Sequence, residues 1–288
     1  MKVSVSSYSF SQLRGKGAAS PLELIGLAKG IGFEAIEYTD IAPSDGRTAR
    51  ENAALLREES EKQGLPIICY TVGADFLNAA SVEQEAQRLF EQVEIAKILG
   101  APTMRHDATR GFGGSAAKYS HFAQALPVLA QGCRLVTEYA APLGIGTMVE
   151  NHGYFCQDSA RVAALVGEVG HPNFGTLVDL GNFLCADEAP NQAVGNVAAF
   201  AKHVHAKDFH VKSGAGDAPG EGWFRSRGGN WLRGAIIGHG EVPVRQCLGV
   251  LAAAGYEGYV SIEFEGMEDC QAALRIGCEN LRRYIDNI

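Results

Sequence analysis

The sequence predicts an α/β fold, a single-domain (β/α)8 TIM barrel with an extended loop after the seventh strand. Short apolar or β-branched runs alternate with amphipathic helical stretches over all 288 residues, and eight strand–helix units can be counted. This alternation predicts parallel pairing, and eight units in a chain of this length favour a closed barrel over the alternative, an open doubly wound sheet. No linker or low-complexity tract divides the sequence, so residues 1–288 are expected to form one domain.

Helix boundary signals define the units of the first half. The strand KVSVSSYSF leads into PLELIGLAKGIG, which opens with proline and ends at glycine. FEAIEY and TARENAALLREESEKQG form the second unit, and LPIICYTV opens the third. In the next helix, Ser81 and Gln84 have the spacing of a capping box, and Gly100 is placed to end the last turn. PTMRHDA precedes a helical region over 117–143, where Pro127 predicts a bend.

The second half repeats the alternation and contains one irregular region. GTMVENH is followed by SARVAALVGEVG, FGTLVDLGN by PNQAVGNVAAFAKH, HVHAKDFHV by VPVRQCLGVLAAAGY, and YVSIEFEG by CQAALRIGCENLRRYID. Residues 212–241, a glycine-rich segment with two tryptophans and three arginines, separate the seventh strand from its helix. Long loops on this face of a barrel usually cover or shape a pocket, which is what we expect here. A packed surface insertion is the alternative.

Composition narrows the class of ligand. The formal net charge of −8 and the pI near 5.5 oppose binding to phosphate backbones, so we expect no nucleic-acid partner and a small neutral or weakly charged substrate. Seven cysteines without short metal-ligand spacing are typical of reduced thiols. Because the sequence shows neither an apolar run of about 18 residues nor a signal-peptide pattern, we expect a cytoplasmic protein without a membrane partner.

Four consecutive strands of the second half end in groups that can bind a metal ion. Their ends offer Glu150, Asp179, His205 and Glu263. Because the carboxyl ends of barrel strands meet at one face, these four groups are expected to converge. Three carboxylates and an imidazole repel one another unless a cation lies among them, and this oxygen-rich set suits Mn²⁺ or Mg²⁺, with Co²⁺ or Zn²⁺ as further occupants. Taken singly, each residue could instead form a salt bridge or a strand-end cap.

The same residues carry a family resemblance. The phrases ENHG, DLGN and VHAKD, together with the four strand-end positions, resemble the xylose isomerase-like superfamily of sugar phosphate isomerases and epimerases, over nearly the whole chain. The resemblance implies a site in which Glu150, Asp179, His205 and Glu263 bind Mn²⁺ or a similar ion, and in which Glu150 and Glu263 also act as acid and base. The sequence departs from the epimerase pattern at Asn182, where those enzymes have a substrate-binding histidine. The nuclease branch also requires a histidine there, so DNA repair is not expected.

These features predict a metal-dependent isomerase or epimerase of a sugar or sugar derivative, acting through an enediolate. Glu150 is the expected base and Glu263 its partner, because a metal ion that binds a carbonyl and its neighbouring hydroxyl acidifies the adjoining C–H bond. A dehydratase or lyase that expels a β-substituent is the first alternative. A non-catalytic sugar-binding or accessory subunit is the second. By resemblance, a homodimer or homotetramer is expected.

Further residues are expected to contact substrate from the strand ends and from the irregular region. For Lys207, an ion pair with Asp208 or another strand-end acid is the alternative, and for His152 it is a packing or supporting role. Aromatic groups at strand ends are also common core residues. The predicted substrate-binding residues are His152, Asn182, Lys207, His106, Glu37, Tyr8, Trp223 and Arg225.

Overall fold

The computed structural model of the protein describes residues 1–39, 41 and 46–288. Eight parallel strands form a closed barrel in the order β1-β11-β7-β6-β5-β4-β3-β2, and β8, β10 and β9 form a separate three-stranded sheet. The strands are β1 (Lys2–Ser6), β2 (Ala35–Tyr38), β3 (Ile67–Val72), β4 (Thr103–His106), β5 (Gly146–Glu150), β6 (Phe174–Asp179), β7 (Ala201–Ala206), β8 (Asp208–Lys212), β9 (Phe224–Arg225), β10 (Trp231–Ala235) and β11 (Tyr259–Ile262).

Helices lie between the barrel strands, so the predicted (β/α)8 fold is confirmed. Short 3-10 segments supplement them at Ser7–Phe10, Gly114–Lys118, Ala141–Leu143 and Ala198–Phe200. The α-helices are α1 (Ser11–Gly15), α2 (Pro21–Ile31), α3 (Ala49–Gln63), α4 (Val82–Leu99), α5 (Phe122–Ala140), α6 (Ser159–Val169), α7 (Asn182–Cys185), α8 (Pro190–Val197), α9 (Val244–Ala253) and α10 (Cys270–Ile285).

The predicted helix ends follow from their capping residues. The Ser81 side chain accepts a hydrogen bond from the backbone N–H of Gln84 at the start of α4, and Gly100 ends that helix in the left-handed conformation. The region predicted over 117–143 is wrong at its start, because α5 begins only at Phe122. Pro127 lies inside α5 as expected.

The barrel interior beneath the carboxyl ends of its strands has an apolar part and a polar part, the latter formed by the hydrogen-bonded Glu37, His203 and Ser261. Met148 and Leu177 are fully buried and pack together inside the barrel. Successive side chains of a strand alternate between its two faces, so Glu150 and Asp179, two residues further along, face the same interior. The core therefore supports the polar groups directly from below.

The irregular region is a small sheet and not an extended loop. The predicted strand HVHAKDFHV divides at Lys207, after which the chain leaves the barrel and β8 pairs with β10 in antiparallel fashion. The buried Asp208 carboxylate accepts hydrogen bonds from the backbone N–H groups of Gly238, Gly240 and Val242, at 2.8, 2.9 and 3.0 Å. These bonds tie the end of the inserted segment to the point where it leaves the barrel.

Candidate metal centre and adjoining pocket

The four predicted metal ligands meet above the barrel axis. One atom from each of Glu150, Asp179, His205 and Glu263 lies within 4.8 Å of the others, and all four residues are buried. The distances from His205 Nδ1 are 3.4 Å to Glu150 Oε1, 3.6 Å to Glu263 Oε1 and 3.7 Å to Asp179 Oδ2. They come from β5, β6, β7 and the residue after β11, which are neighbouring strands of the barrel.

Two atoms of this group lack the hydrogen bonds that buried polar atoms normally make. Asp179 Oδ1 accepts two bonds of 2.8 Å from the backbone N–H groups of Gly181 and Asn182. Asp179 Oδ2 and His205 Nδ1 have no hydrogen-bond partner among the described residues, although Lys207 Nζ lies 3.4 Å from that oxygen. Carboxylate oxygens and one imidazole nitrogen aimed at a common point are a donor set for a divalent cation.

Glu37 orients the imidazole of His205 from the opposite side. Nε2 of His205 lies 2.7 Å from Glu37 Oε1, and Nε2 of His203 lies 2.6 Å from Glu37 Oε2. A proton on Nε2 of His205 leaves the lone pair of Nδ1 directed at the three carboxylates. Glu37 is fully buried, so the structure places it beneath the site as a support and not as the substrate-binding residue that we predicted.

The electrostatics keep both proposed catalytic glutamates ionised. Burial alone would raise the pKa of Glu150, but the Arg105 guanidinium and His205 lower it below the usual value. Burial also raises the pKa of Glu263, but Lys207 and His205 lower it by more, so the net pKa lies well below its usual value. Burial lowers the pKa of His205, whereas the carboxylates of Glu37 and Glu263 raise it above the usual value.

Arg105 is a site residue that sequence reasoning missed. Its Nη2 lies 2.6 Å from Glu150 Oε2 and 2.7 Å from Asp107 Oδ1. The guanidinium is buried and borders the pocket above the metal ligands. A charged residue inside the short strand TMRH was the available signal, because alternation along that strand puts Arg105 and Asp107 on one face.

His106, which we predicted to bind substrate, points to the other side of β4. Its ring is fully buried and packs edge-on against Phe76, with ring centroids 6.0 Å apart. Its Nδ1 lies 2.8 Å from the backbone oxygen of Asp107. Burial lowers the pKa of His106 to about 4. The structure therefore does not bring His106 to the pocket.

Two asparagines join the strand ends. Asn182 Nδ2 donates to Glu150 Oε1 at 3.2 Å, and its Oδ1 accepts from Lys207 Nζ at 3.2 Å. Asn151, which the sequence analysis did not select, exchanges two bonds of 2.8 Å with the backbone of Asp179. Asn182 thus contacts one predicted metal ligand directly, and Asn151 fixes the backbone of another. The ENHG and DLGN phrases contain these residues and were the available signal.

Lys207 pairs with strand-end acids and not with Asp208. Its Nζ lies 2.6 Å from Glu263 Oε2 and 3.7 Å from Glu265 Oε2. Glu265, a further residue that sequence reasoning missed, faces the pocket two positions after Glu263. Burial raises the pKa of Glu265, an effect that Lys207 reduces. The lysine therefore lies between a proposed metal ligand and a second pocket carboxyl group.

The pocket above the four clustered residues has two adjoining compartments. The inner compartment has a volume of about 210 Å³ and is bordered by Arg105, Glu150 and Glu263. The outer compartment has a volume of about 360 Å³ and is bordered by the inserted sheet. Larger grooves of about 630 and 580 Å³ lie elsewhere, without any of the four clustered ligands in their walls. Both compartments share Tyr8, His152, Lys207 and Glu265.

Tyr8 and His152 lie where the sequence predicts, at the pocket wall. Tyr8 is 41% exposed, and His152 Nδ1 lies 3.1 Å from Asp107 Oδ1. Burial lowers the pKa of His152, but the hydrogen bond to Asp107 raises it, with a net upward shift. Through Asp107, His152 is connected to Arg105 and hence to Glu150.

The side chains of Trp223 and Arg225 make cation–π contacts within the inserted sheet. The Arg225 guanidinium lies 3.7 Å from the ring centroid of Trp231, and Trp223 lies beneath the cationic groups of Lys212 and Arg233 at 5.4 and 5.5 Å. Among the described residues, neither Trp223 nor Arg225 borders the two compartments. The substrate contacts predicted for them are therefore not seen, and Phe224 reaches the pocket instead.

Comparisons with known proteins agree with this architecture. The sequence model of the xylose isomerase-like TIM barrel family matches residues 25–284. The probable 3-DHS dehydratase of Bacillus anthracis is 19% identical, with a TM-score of 0.73 over 98% of this chain and 99% of that chain. The 3-keto-D-glucoside 4-epimerase of E. coli is 16% identical, with a TM-score of 0.71 over 98% of this chain and 99% of that chain.

A further structure is similar at the same level. A xylose isomerase-like TIM barrel protein from Mycobacterium smegmatis, solved in complex with magnesium, is 16% identical, with a TM-score of 0.71 over 99% of this chain and 97% of that chain. No curated protein matches the sequence. In the described part of the chain, no helix is long and apolar enough to cross a membrane. The family match covers most of the sequence, and the chain belongs to the xylose isomerase-like TIM barrel family.

Proposed function

We propose that this protein is a divalent-metal-dependent isomerase or epimerase of a sugar or sugar derivative. One observation carries the proposal: Glu150, Asp179, His205 and Glu263 converge, and two of their buried atoms have no hydrogen-bond partner among the described residues. Mn²⁺ is the proposed ion, because three carboxylates and one imidazole suit a borderline cation that prefers oxygen. The ion would bind between the four side chains, with no sulfur ligand.

The ion would polarise a carbonyl oxygen of the substrate and acidify the neighbouring C–H bond. Glu150 removes that proton, since Arg105 keeps it ionised and holds its Oε2 at 2.6 Å. Glu263 lies three strands further around the barrel, with β6 and β7 between it and β5. It passes a proton taken up from Lys207 or solvent to the other face or to the adjacent carbon, and Glu150 releases the proton that it removed to solvent. Lys207, 2.6 Å from Glu263 Oε2, donates a hydrogen bond that restrains this second carboxylate.

An elimination is the second candidate, and the position of Lys207 favours it. Its Nζ lies between Glu263 and Glu265, where the inner and outer compartments meet. An ammonium group there can protonate an oxygen that leaves from the carbon next to the one deprotonated by Glu150. The structural similarity to a probable dehydratase agrees with this candidate. In both candidates the first step is removal of a proton by Glu150.

The oligomeric state and compartment stay predictions. We expect a homodimer or homotetramer, which light scattering on the purified protein measures directly. All seven cysteines are free and buried, which supports a reducing compartment such as the cytoplasm.

Metal analysis combined with a substrate panel tests the proposed function. The panel contains keto-hexoses, a 3-keto-D-glucoside and 3-DHS, each incubated with Mn²⁺-loaded protein in heavy water and followed by NMR and mass spectrometry. Deuterium in a product of unchanged formula supports isomerisation or epimerisation, whereas loss of water or of a substituent supports elimination. Activity that is indifferent to EDTA on every substrate would contradict both.

A further inference from the structure

The pocket is larger than the reacting ring of the proposed substrate requires. The inner compartment, of about 210 Å³, contains the reacting groups and suits one small ring. Pockets for larger organic ligands usually measure about 300–1,000 Å³. The outer compartment adds about 360 Å³ on the side of the inserted sheet. A substrate that fills both must carry a second group.

Aromatic rings line the outer compartment. Phe224 of β9 and Tyr154 of the loop after β5 form its wall, and Tyr8 lies where the two compartments meet. Gly222 lets the insertion approach closely, because a Cβ there would lie 2.3 Å from Met267 Sδ, in a backbone with φ of +80°. Cys185 is buried and apolar at the same wall. The wall of this slot, the outer compartment, therefore combines two aromatic rings with a glycine and a cysteine.

The polar groups of this slot are largely satisfied within the protein. Gln157 Nε2 donates to the backbone oxygen of Asn182 at 2.8 Å, and its Oε1 accepts from the backbone N–H of Tyr154. The Asn182 side chain is engaged by Glu150 and Lys207. The further polar groups of the outer compartment, Tyr8, His152, Lys207 and Glu265, all lie at its junction with the inner compartment. A second sugar ring beyond that junction would find few free hydrogen-bond partners. An aromatic ring needs only the apolar faces.

The slot is already formed by the protein's own contacts. Tyr154 Oη donates to the backbone oxygen of Arg225 at 2.7 Å, and Ser226 Oγ donates to Asp187 Oδ1 at 2.6 Å. These bonds attach the inserted sheet to the loops after β5 and β6. A pocket wall that is formed beforehand lowers the entropic cost of binding.

We infer that the outer compartment binds an aromatic substituent of the substrate, so that the protein acts on an aryl conjugate of a keto-sugar. This inference rests on the proposed function, because the sugar ring must occupy the inner compartment. Lys207 and Glu265 border both compartments and therefore lie beside the bond that joins the ring to its substituent.

Three ligands that share one 3-keto-hexose ring, linked through C1 so that the carbonyl stays free, test the inference. They are its methyl glycoside, its phenyl glycoside and a disaccharide with a second hexose, each titrated calorimetrically into the Mn²⁺-loaded full-length protein. We expect the phenyl glycoside to bind about ten-fold more tightly than the methyl glycoside, because two rings flank the slot. In Phe224→Ala this ratio should fall below about two-fold. The matched control Phe200→Ala removes a 38% exposed ring that precedes β7, at the opposite end of the barrel, and should keep the ratio.

Further variants separate loss of the ring from loss of the fold. Tyr154→Ala should also reduce the ratio, whereas Tyr154→Phe keeps the ring, loses only the bond to Arg225 and should retain most of it. Equal binding of the methyl and phenyl glycosides, or a preference for the disaccharide, overturns the inference and leaves the proposed function intact. If none of the three binds and metal makes no difference, the proposed function fails and the inference fails with it.

Discussion

Glu37 Oε1 accepts a hydrogen bond from Nε2 of His205 at 2.7 Å, on the side of the imidazole opposite the three clustered carboxylates. The same carboxylate lies 2.6 Å from Nε2 of His203, which in turn lies 3.0 Å from Ser261 Oγ. One residue of β2 therefore fixes the ring orientation of a proposed metal ligand on β7, across the interior of the barrel. Supporting carboxylates of this kind usually raise the metal affinity of a histidine.

Replacement of Glu37 by glutamine should weaken metal binding by about 10- to 100-fold. A glutamine has a single acceptor oxygen, which cannot serve both His203 and His205, so the ring loses its defined orientation. Competitive titration of the apoprotein with Mn²⁺ and a fluorescent chelator measures the change. Glu58→Gln on the exposed face of α3 is the control. Unchanged affinity in Glu37→Gln would show that the hydrogen bond does not position His205.

Arg105 should be essential for both stability and activity. Arg105→Met leaves Glu150 and Asp107 buried without their shared cation, and breaking such a pair costs about 3–5 kcal/mol of unfolding free energy. Urea denaturation followed by circular dichroism measures this loss. Arg105→Lys keeps the charge, but its shorter side chain does not carry the nitrogen to the position of Nη2, so it should recover most of the stability and little of the kcat. Full activity in the lysine variant would mean that Arg105 supplies charge alone.

The two proposed acid/base residues should each be indispensable for turnover. Glu150→Gln and Glu263→Gln keep an oxygen that can face the metal but cannot exchange a proton, so each should lower kcat by about 10²–10⁴-fold. Metal content, measured by elemental analysis after dialysis, should remain near one ion per chain. A variant that retains turnover would remove that glutamate from the proposed mechanism. Loss of metal together with activity would assign it a binding role only.

Asp208 should stabilise the insertion without taking part in chemistry. Asp208→Ala leaves the N–H groups of Gly238, Gly240 and Val242 without their acceptor, and we expect a loss of about 2–4 kcal/mol in unfolding free energy. Asp208→Asn keeps one acceptor oxygen and should lose less. Thermal and urea unfolding compare the variants. A neutral alanine variant would show that the three bonds contribute nothing net.

Much of the barrel could be predicted because its signals are local. Ser81 and Gly100 mark the ends of α4, and both act as the sequence predicts. The inserted sheet could not be predicted, because β9 has only two residues, Phe224–Arg225, and its pairing with β10 is not encoded in any local pattern. A glycine-rich segment with so short a strand has no periodicity to detect.

The convergence of the four proposed metal ligands could be predicted from topology, whereas the direction of His106 could not. The quartet occupies equivalent positions at the ends of neighbouring strands, so topology alone brings Glu150 and Glu263 together. The direction of a side chain depends on strand alternation, and in β4 that alternation turns Arg105 inward and His106 outward. Selecting the histidine by its chemistry alone led to the wrong residue.

Trp223 and Arg225 show that residue type alone does not predict a substrate contact. Both have chemistry that suits substrate binding, yet their contacts are with Lys212, Arg233 and Trp231 inside the insertion. A side chain that can bind a ligand can equally stabilise its own segment, and the sequence does not distinguish the two uses. Only the fold of the insertion shows that Phe224, between them, faces the pocket.

Anomalous diffraction from crystals grown with Mn²⁺ tests the central claim most directly. We expect one strong peak at the manganese absorption edge, bounded by Glu150, Asp179, His205 Nδ1 and Glu263 at about 2.0–2.4 Å. A map without a peak at that position, or with the four side chains turned away from one another, would contradict it.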